Sequence, residues 1–293
     1  MSDTRFEQVS LLPRVEPNAL IARVKAEHEP VATVCLFSGG HDSTVLAHRC
    51  RDQYDSLAFI DTGTALPGVR AFVEDFAAWL GKPLRVLESG DAYRRLVLGL
   101  HKVDPPPDWR PYGFPGPAGH NRAYNQLKER QLRVLRAELQ EGHRRGARVL
   151  MLTGLRRAES QRRKSRPEVS FHGSIVFANP LSDWTALEML AYRIGHDLPE
   201  SEVAALLHRS GECNCGSFAA PGERETLQSL WPEWFETTIA TLEREAEAAG
   251  IGSCRWGERT VFGELEASRG FEHTLRLWDE PELCSDCATR AEL

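Results

Sequence analysis

The 293-residue chain has no apolar run approaching the length of a membrane span, so a role inside a bilayer is not expected. Its opening residues, Met1-Ser-Asp-Thr-Arg-Phe-Glu7, lack the basic and apolar regions of a secretory signal, and the expected location is the cytoplasm. Positive charge is not in excess: the formal net charge is −6, which argues against a bulk nucleic-acid binder. There are no internal repeats, which excludes solenoids and propellers. The ten histidines form neither a Ser/His/Asp arrangement nor a His-x-x-x-His pair, so a hydrolase triad and a zincin centre find no support. A glycine-rich loop ending in Gly-Lys-Ser/Thr, the common phosphate loop, is also missing.

What is present starts with Val31-Ala-Thr-Val-Cys-Leu-Phe37 followed by Ser38-Gly-Gly-His-Asp-Ser43. The apolar stretch reads as a central strand, the two glycines break it, and a helix carrying Val45, Leu46 and Ala47 follows, with Asp42 as the expected N-cap. A strand, a glycine turn and a helix start together make an anion site. Small residues let the backbone approach a phosphate, the first-turn N–H groups are unpaired, and the helix dipole favours negative charge.

Further strand and helix signals alternate. Ser56-Leu-Ala-Phe-Ile60 reads as a strand ending in Asp61-Thr-Gly63, residues 69–80 have helical spacing, and Pro83-Leu-Arg-Val-Leu87 is a third strand. Residues 101–120 are too rich in proline for a regular element and read as a binding loop or lid. Residues 121–145 form a long helix, and Arg148-Val-Leu-Met-Leu-Thr153 is a buried strand ending at Gly154-Leu-Arg-Arg-Ala-Glu-Ser160. Residues 169–177 suggest a short ribbon, and a helix covers residues 184–194. This order predicts an α/β fold with a doubly wound, mostly parallel sheet over residues 1–195, followed by a small helical, cysteine-rich subdomain over 196–293.

Seven cysteines in a reducing compartment more often bind metal or react than cross-link. Cys213 with Cys215, and Cys284 with Cys287, make two close pairs about seventy residues apart. Four such thiolates suit either a [4Fe–4S] cluster or tetrahedral Zn2+, and unliganded or redox-active thiols are the third option. Cys35 and Cys50 are expected to be buried small hydrophobes.

Ser38-Gly-Gly-His-Asp-Ser43 resembles the pyrophosphate loop, Ser-Gly-Gly-x-Asp-Ser, of the adenine-nucleotide alpha-hydrolase superfamily. Asp61-Thr-Gly63, then Gly154 to Ser160 with Arg162-Arg163, then Asn179-Pro-Leu-Ser-Asp-Trp184 follow it in the order seen in phosphoadenosine-phosphosulfate (PAPS) reductases and their relatives. The resemblance covers about half the chain, residues 31–192. It implies that Ser38, Gly39, Gly40, Asp42 and Ser43 bind nucleotide phosphate or sulfate. It implies that Asp61, Thr62 and Gly63 lie near the adenosine, and that Gly154, Arg156, Arg157, Glu159, Arg162 and Arg163 line the anion end. A segment resembling one in some uncharacterised members adds Lys128 and His120. Asp42, Arg156, Arg157, Arg162 and Cys213 are the catalytic candidates.

The departures matter equally. The Glu-Cys-Gly-Leu-His segment of the reductases is absent; Glu212-Cys213 is a partial echo, followed by Asn-Cys-Gly. The expected function is binding of an adenine nucleotide or sulfonucleotide, either ATP or a PAPS-like or APS-like molecule, for sulfur transfer or sulfonucleotide reduction. The alternatives are an adenylating sulfurtransferase that splits ATP at the α-phosphate with Mg2+ and modifies DNA or RNA, and a nonenzymatic nucleotide-binding module. Resemblance to relatives that move sulfur, including DNA phosphorothioation proteins, puts the iron–sulfur cluster ahead of zinc at Cys213, Cys215, Cys284 and Cys287. A reductant or sulfur-donor protein, nucleic acid and a second copy of the chain are the partners considered.

Overall fold

The computed structural model describes residues 15–102, 104–105, 109–159 and 163–258. After helix α1 (Pro17–His28), the chain runs through β1 (Ala32–Leu36), α2 (His41–Arg49), β2 (Ser56–Asp61), α3 (Val69–Leu80), β3 (Leu84–Glu88) and α4 (Ala92–Val97). One long helical stretch follows, made of α5 (His120–Tyr124), a π-helical segment (Asn125–Glu129) and α6 (Arg130–Leu139). Then come β4 (Val149–Leu152), the hairpin β5 (Val169–His172) and β6 (Ile175–Ala178), and α7 (Ala186–Gly195). The six strands form one sheet in the order β3-β2-β1-β4-β6-β5, parallel except for β5, which is antiparallel to β6 at the edge.

The expected doubly wound α/β architecture is therefore what the chain adopts, and the sequence explains it. β4 and β6 are apolar and buried at every position, as inner strands of a parallel sheet covered on both faces must be. Alternate side chains feed two cores. Cys35, Phe37, Leu57, Phe59, Leu150 and Leu152 share one apolar cluster with residues of α1, α2 and α3. Val34, Leu36, Ala58, Ile60, Val149 and Met151 face the other way and pack with Leu132 and Leu135 of α6. Cys35 and Cys50 are buried as expected, and burial pushes the Cys50 thiol up to about 12.

Several local expectations change. The ribbon over residues 169–177 is a true hairpin whose second strand, β6, enters the sheet beside β4. The helix expected to start with Asp42 as its cap starts two residues earlier: Gly40 is the N-cap and Asp42 sits inside the first turn. Both hydroxyls nearby, on Ser43 and Thr44, donate to the Gly40 carbonyl at 2.9 Å. The π-helical segment was not expected. Its last three residues, Leu127, Lys128 and Glu129, are all buried.

Helix α7 ends at Gly195. Beyond it lie α8 (Glu202–Leu207), α9 (Glu223–Leu230), α10 (Pro232–Trp234), a second π-helical segment (Phe235–Ala240) and α11 (Thr241–Ala248). Leu198, Val203, Leu227, Phe235, Ile239 and Trp256 from this region join the same apolar cluster as the sheet. Trp256 is fully buried, while Trp231 and Trp234 pack partly buried against that cluster.

Candidate functional site

Going outward from β1, the chain moves through β2 to β3 on one side and returns through β4 on the other. β1 and β4 thus flank the topological switch point, and a crevice opens beyond their carboxyl ends. A cavity of about 220 Å3 lies there. Ser38, Gly40, Asp42 and Ser43 from the loop after β1, and Gly154, Arg156, Glu159 and Arg163 from the segment after β4, all line it. Lys128, delivered by the π-helical segment, lines it too.

The loop is held by its own hydroxyls. Ser38 Oγ lies 3.1 Å from Ser43 Oγ, and the Ser38 N–H donates to Ser43 Oγ at 3.3 Å. Gly40 leaves little room for a side chain, since a Cβ there would sit 3.0 Å from Ser210 Cβ. The turn leads directly into α2, whose first N–H groups and positive dipole end face the cavity side of the loop.

Each cation of the cavity wall is oriented by a carboxylate. Arg156 Nε donates to Asp42 Oδ2 at 2.6 Å, so the segment after β4 is tied to the first turn of α2. Arg163 pairs with Glu159, four residues before it, and Lys128 pairs with Glu212; both lysine and glutamate are almost wholly buried. A guanidinium has five donors and an ammonium three, so one carboxylate partner orients these groups without exhausting them.

Other expected residues are not brought to the cavity. Gly39 turns toward α3, where a Cβ would meet Phe72 and Val73 at 3.3 Å. Asp61 accepts the Gly63 N–H at 3.0 Å and faces Arg70. Thr62 is fully buried, and its hydroxyl donates to the Glu212 carbonyl at 2.6 Å. Arg157, next to the cavity-lining Arg156, points away to Asp183 at 2.5 Å and to the Arg166 carbonyl at 2.9 Å. His120 is buried against Phe218, edge to face at 5.1 Å. Arg162 lies outside the described residues.

The cavity has a wall that no motif announced. His208, Arg209, Ser210 and Glu212 close its side. They are fixed by the residues that follow: Asn214, fully buried, donates from its side chain to the carbonyls of Thr64 and Gly211 at 2.8 and 3.0 Å and accepts from Arg209 at 2.9 Å. Tyr93 and Trp256 donate to the carbonyls of Cys215 and Asn214, both at 2.8 Å. The segment after β2 is therefore stitched to residues 211–215, which explains why Thr62 and Thr64 are buried.

The metal expectation meets a limited donor set. Cys213 and Cys215 are buried in the apolar cluster, and Cys215 Sγ is 3.2 Å from the Ser217 hydroxyl. Among the described residues no group of three or more His, Cys, Asp or Glu is placed to hold a metal ion. Cys284 and Cys287 lie outside the described residues. Two thiols alone do not furnish a tetrahedral zinc site or a cluster.

Residues 32–209 match the family model described as the phosphoadenosine phosphosulfate reductase domain. Among solved structures, the chain is similar to the phosphoadenylyl-sulfate (PAPS) reductase of Candida auris in its phosphate complex, at 18% identity and a TM-score of 0.46, covering 66% of this chain and 85% of that one. It is also similar to the U34-tRNA thiolase NcsA of Methanococcus maripaludis with its [4Fe-4S] cluster, at 13% identity and a TM-score of 0.43, covering 92% of this chain and 84% of that one. No curated protein matches the chain.

Proposed function

The chain belongs to the phosphoadenosine phosphosulfate reductase domain family, and from that premise we propose that it is an enzyme that binds an adenine nucleotide or sulfonucleotide at the Ser38–Ser43 loop and acts in sulfur transfer or sulfonucleotide reduction. One observation carries this reading: the loop, Arg156, Arg163 and Lys128 meet in a single cavity at the switch point between β1 and β4. At about 220 Å3 the cavity is smaller than the roughly 300–1,000 Å3 that encloses a drug-sized ligand. It suits the anionic end of a nucleotide, with the base directed toward the mouth.

The chemistry available from the described residues is electrostatic. Backbone N–H groups of the loop donate to phosphate or sulfate oxygens, and Arg156, oriented by Asp42, supplies further donors to oxygens whose charge grows during bond cleavage. Lys128 adds a point charge from the opposite wall. Among the described residues no thiol lines the cavity, Cys213 being buried in the core beside it. In a second reading ATP is split at the α-phosphate and the adenylylated acceptor, on DNA or RNA, then receives sulfur, which displaces AMP. Mg2+ belongs to this version and would neutralise phosphate charge; no residue is assigned to it.

Product analysis separates the two. Incubation with PAPS and a dithiol, which provides the two electrons, is expected to release sulfite if sulfonucleotide reduction is the activity. Incubation with ATP, Mg2+, a nucleic-acid acceptor and a sulfide donor is expected to release pyrophosphate as the acceptor is adenylylated and AMP as sulfur displaces the adenylyl group, if adenylation is the activity. Saturable nucleotide binding with neither product, with DNA and RNA acceptors present, would remove both and leave a binding module.

A further inference from the structure

His41 fills the variable position of the phosphate loop, yet its side chain is not idle. It lines the cavity as the first residue of α2. Its Nε2 lies 2.7 Å from Glu200 Oε1 in the connection between α7 and α8. The same Glu200 oxygen accepts from Arg193 in the last turn of α7. The imidazole is thus fixed from behind by a carboxylate that is itself fixed by a guanidinium, at the edge of an anion-binding turn.

We propose that His41, held by Glu200 and Arg193, contacts the anionic group of the bound nucleotide and takes up a proton when that group docks. The inference rests on the nucleotide-site reading above. Nε2 is engaged with Glu200, so Nδ1 is the nitrogen that gains the proton, which comes from solvent. Without ligand, burial and then Arg193 hold the imidazole below its ordinary range, while Glu200 and Asp42 pull it back up. Arg156, Arg163, Arg209 and Lys128 also line the cavity as its cations, with Asp42, Glu159 and Glu212 as its carboxylates. An incoming phosphate or sulfate reverses that balance by placing negative charge at the helix start, which favours imidazolium. Binding between the free-state and bound-state pKa values therefore consumes a proton, and affinity rises as pH falls through that window.

The test is calorimetric titration of the whole protein with ATP, PAPS and adenosine 5′-phosphosulfate in two buffers of different ionisation enthalpy. Wild type, His41→Gln and Glu200→Gln are compared, so that protons taken up by the nucleotides themselves cancel in the difference. Wild type is expected to take up more protons than His41→Gln, by up to about one per site. His41→Gln is expected to bind about five- to tenfold more weakly near pH 6 and equally well near pH 8. Glu200→Gln, which keeps a hydrogen-bond acceptor but loses the charge, is expected to move the uptake to lower pH. Equal proton uptake in wild type and His41→Gln, or an equal loss of affinity at both pH values, overturns the inference while leaving the nucleotide site standing. Wild type that binds none of the three nucleotides at either pH overturns the site itself, and this inference with it.

Discussion

Substituting Gly154 by valine is expected to abolish binding of adenine nucleotides. Gly154 is the first residue of the turn between β4 and Arg156, and it lies against the start of α2. A Cβ on it would sit 3.1 Å from the Asp42 carbonyl carbon and 3.1 Å from the Ser43 nitrogen. Both neighbours are backbone atoms of the phosphate loop's helix, so they cannot swing aside as a side chain could. Overpacking of this kind costs about 1–3 kcal/mol when the surroundings adapt. Here the adaptation itself moves the loop away from Arg156 and breaks the 2.6 Å contact to Asp42. A loss of affinity of at least about 100-fold is expected, with alanine intermediate. Gly195→Ala, in α7 at a site with nothing within 4 Å, is the comparison expected to leave binding unchanged and to destabilise nothing. Unchanged affinity in a folded Gly154→Val protein would show that this turn does not shape the site.

The second large effect concerns the Lys128–Glu212 pair. Both side chains are nearly inaccessible, and each is brought in by an irregular element, one by the π-helical segment and one by the wall at residues 208–212. Removing one partner of a buried ion pair costs about 3–5 kcal/mol, because the remaining charge loses its compensation. Lys128→Met is therefore expected to destabilise the fold by about that amount, measured by urea unfolding. Lys128→Met combined with Glu212→Leu should recover most of it, since an apolar pair of similar volume is often neutral or better. The double variant would still lack a cationic donor and should bind nucleotide more weakly than wild type. Additive losses in the double variant would mean that the two residues stabilise the fold independently.

How legible all this was in the sequence depends on range. Val149–Leu152 declares an inner strand because every position is apolar, residues 32–36 because all but Thr33 are, and the glycine turn after each marks a carboxyl end. The Ser38–Ser43 loop was legible for the same local reason. Arg156 and Arg157 were not distinguishable: they are adjacent, and only Asp183, brought close by the turn at Ser182, draws Arg157 away. Asp42 read as a cap because its residue type favours that position, but its carboxylate is taken by a guanidinium 114 residues further on. Glu212 and its neighbours carried no motif beyond a partial echo, and their place on the cavity depends on Asn214 binding Thr64 across 150 residues. β6 was folded into a vague ribbon because four residues, Ile175 to Ala178, give too short a pattern to tell an inner strand from a hairpin arm. Helices α4 and α9 were not anticipated, being six and eight residues long.

The most direct measurement is equilibrium titration of the full chain with ATP, PAPS and adenosine. Saturable one-to-one binding of at least one anionic nucleotide, with adenosine bound at least about tenfold more weakly, is the predicted result, because loop amides and arginines grip charge rather than the base. Adenosine binding as tightly as the nucleotides, or no saturable binding of any of them, would contradict the assignment of the cavity between β1 and β4 as a nucleotide site.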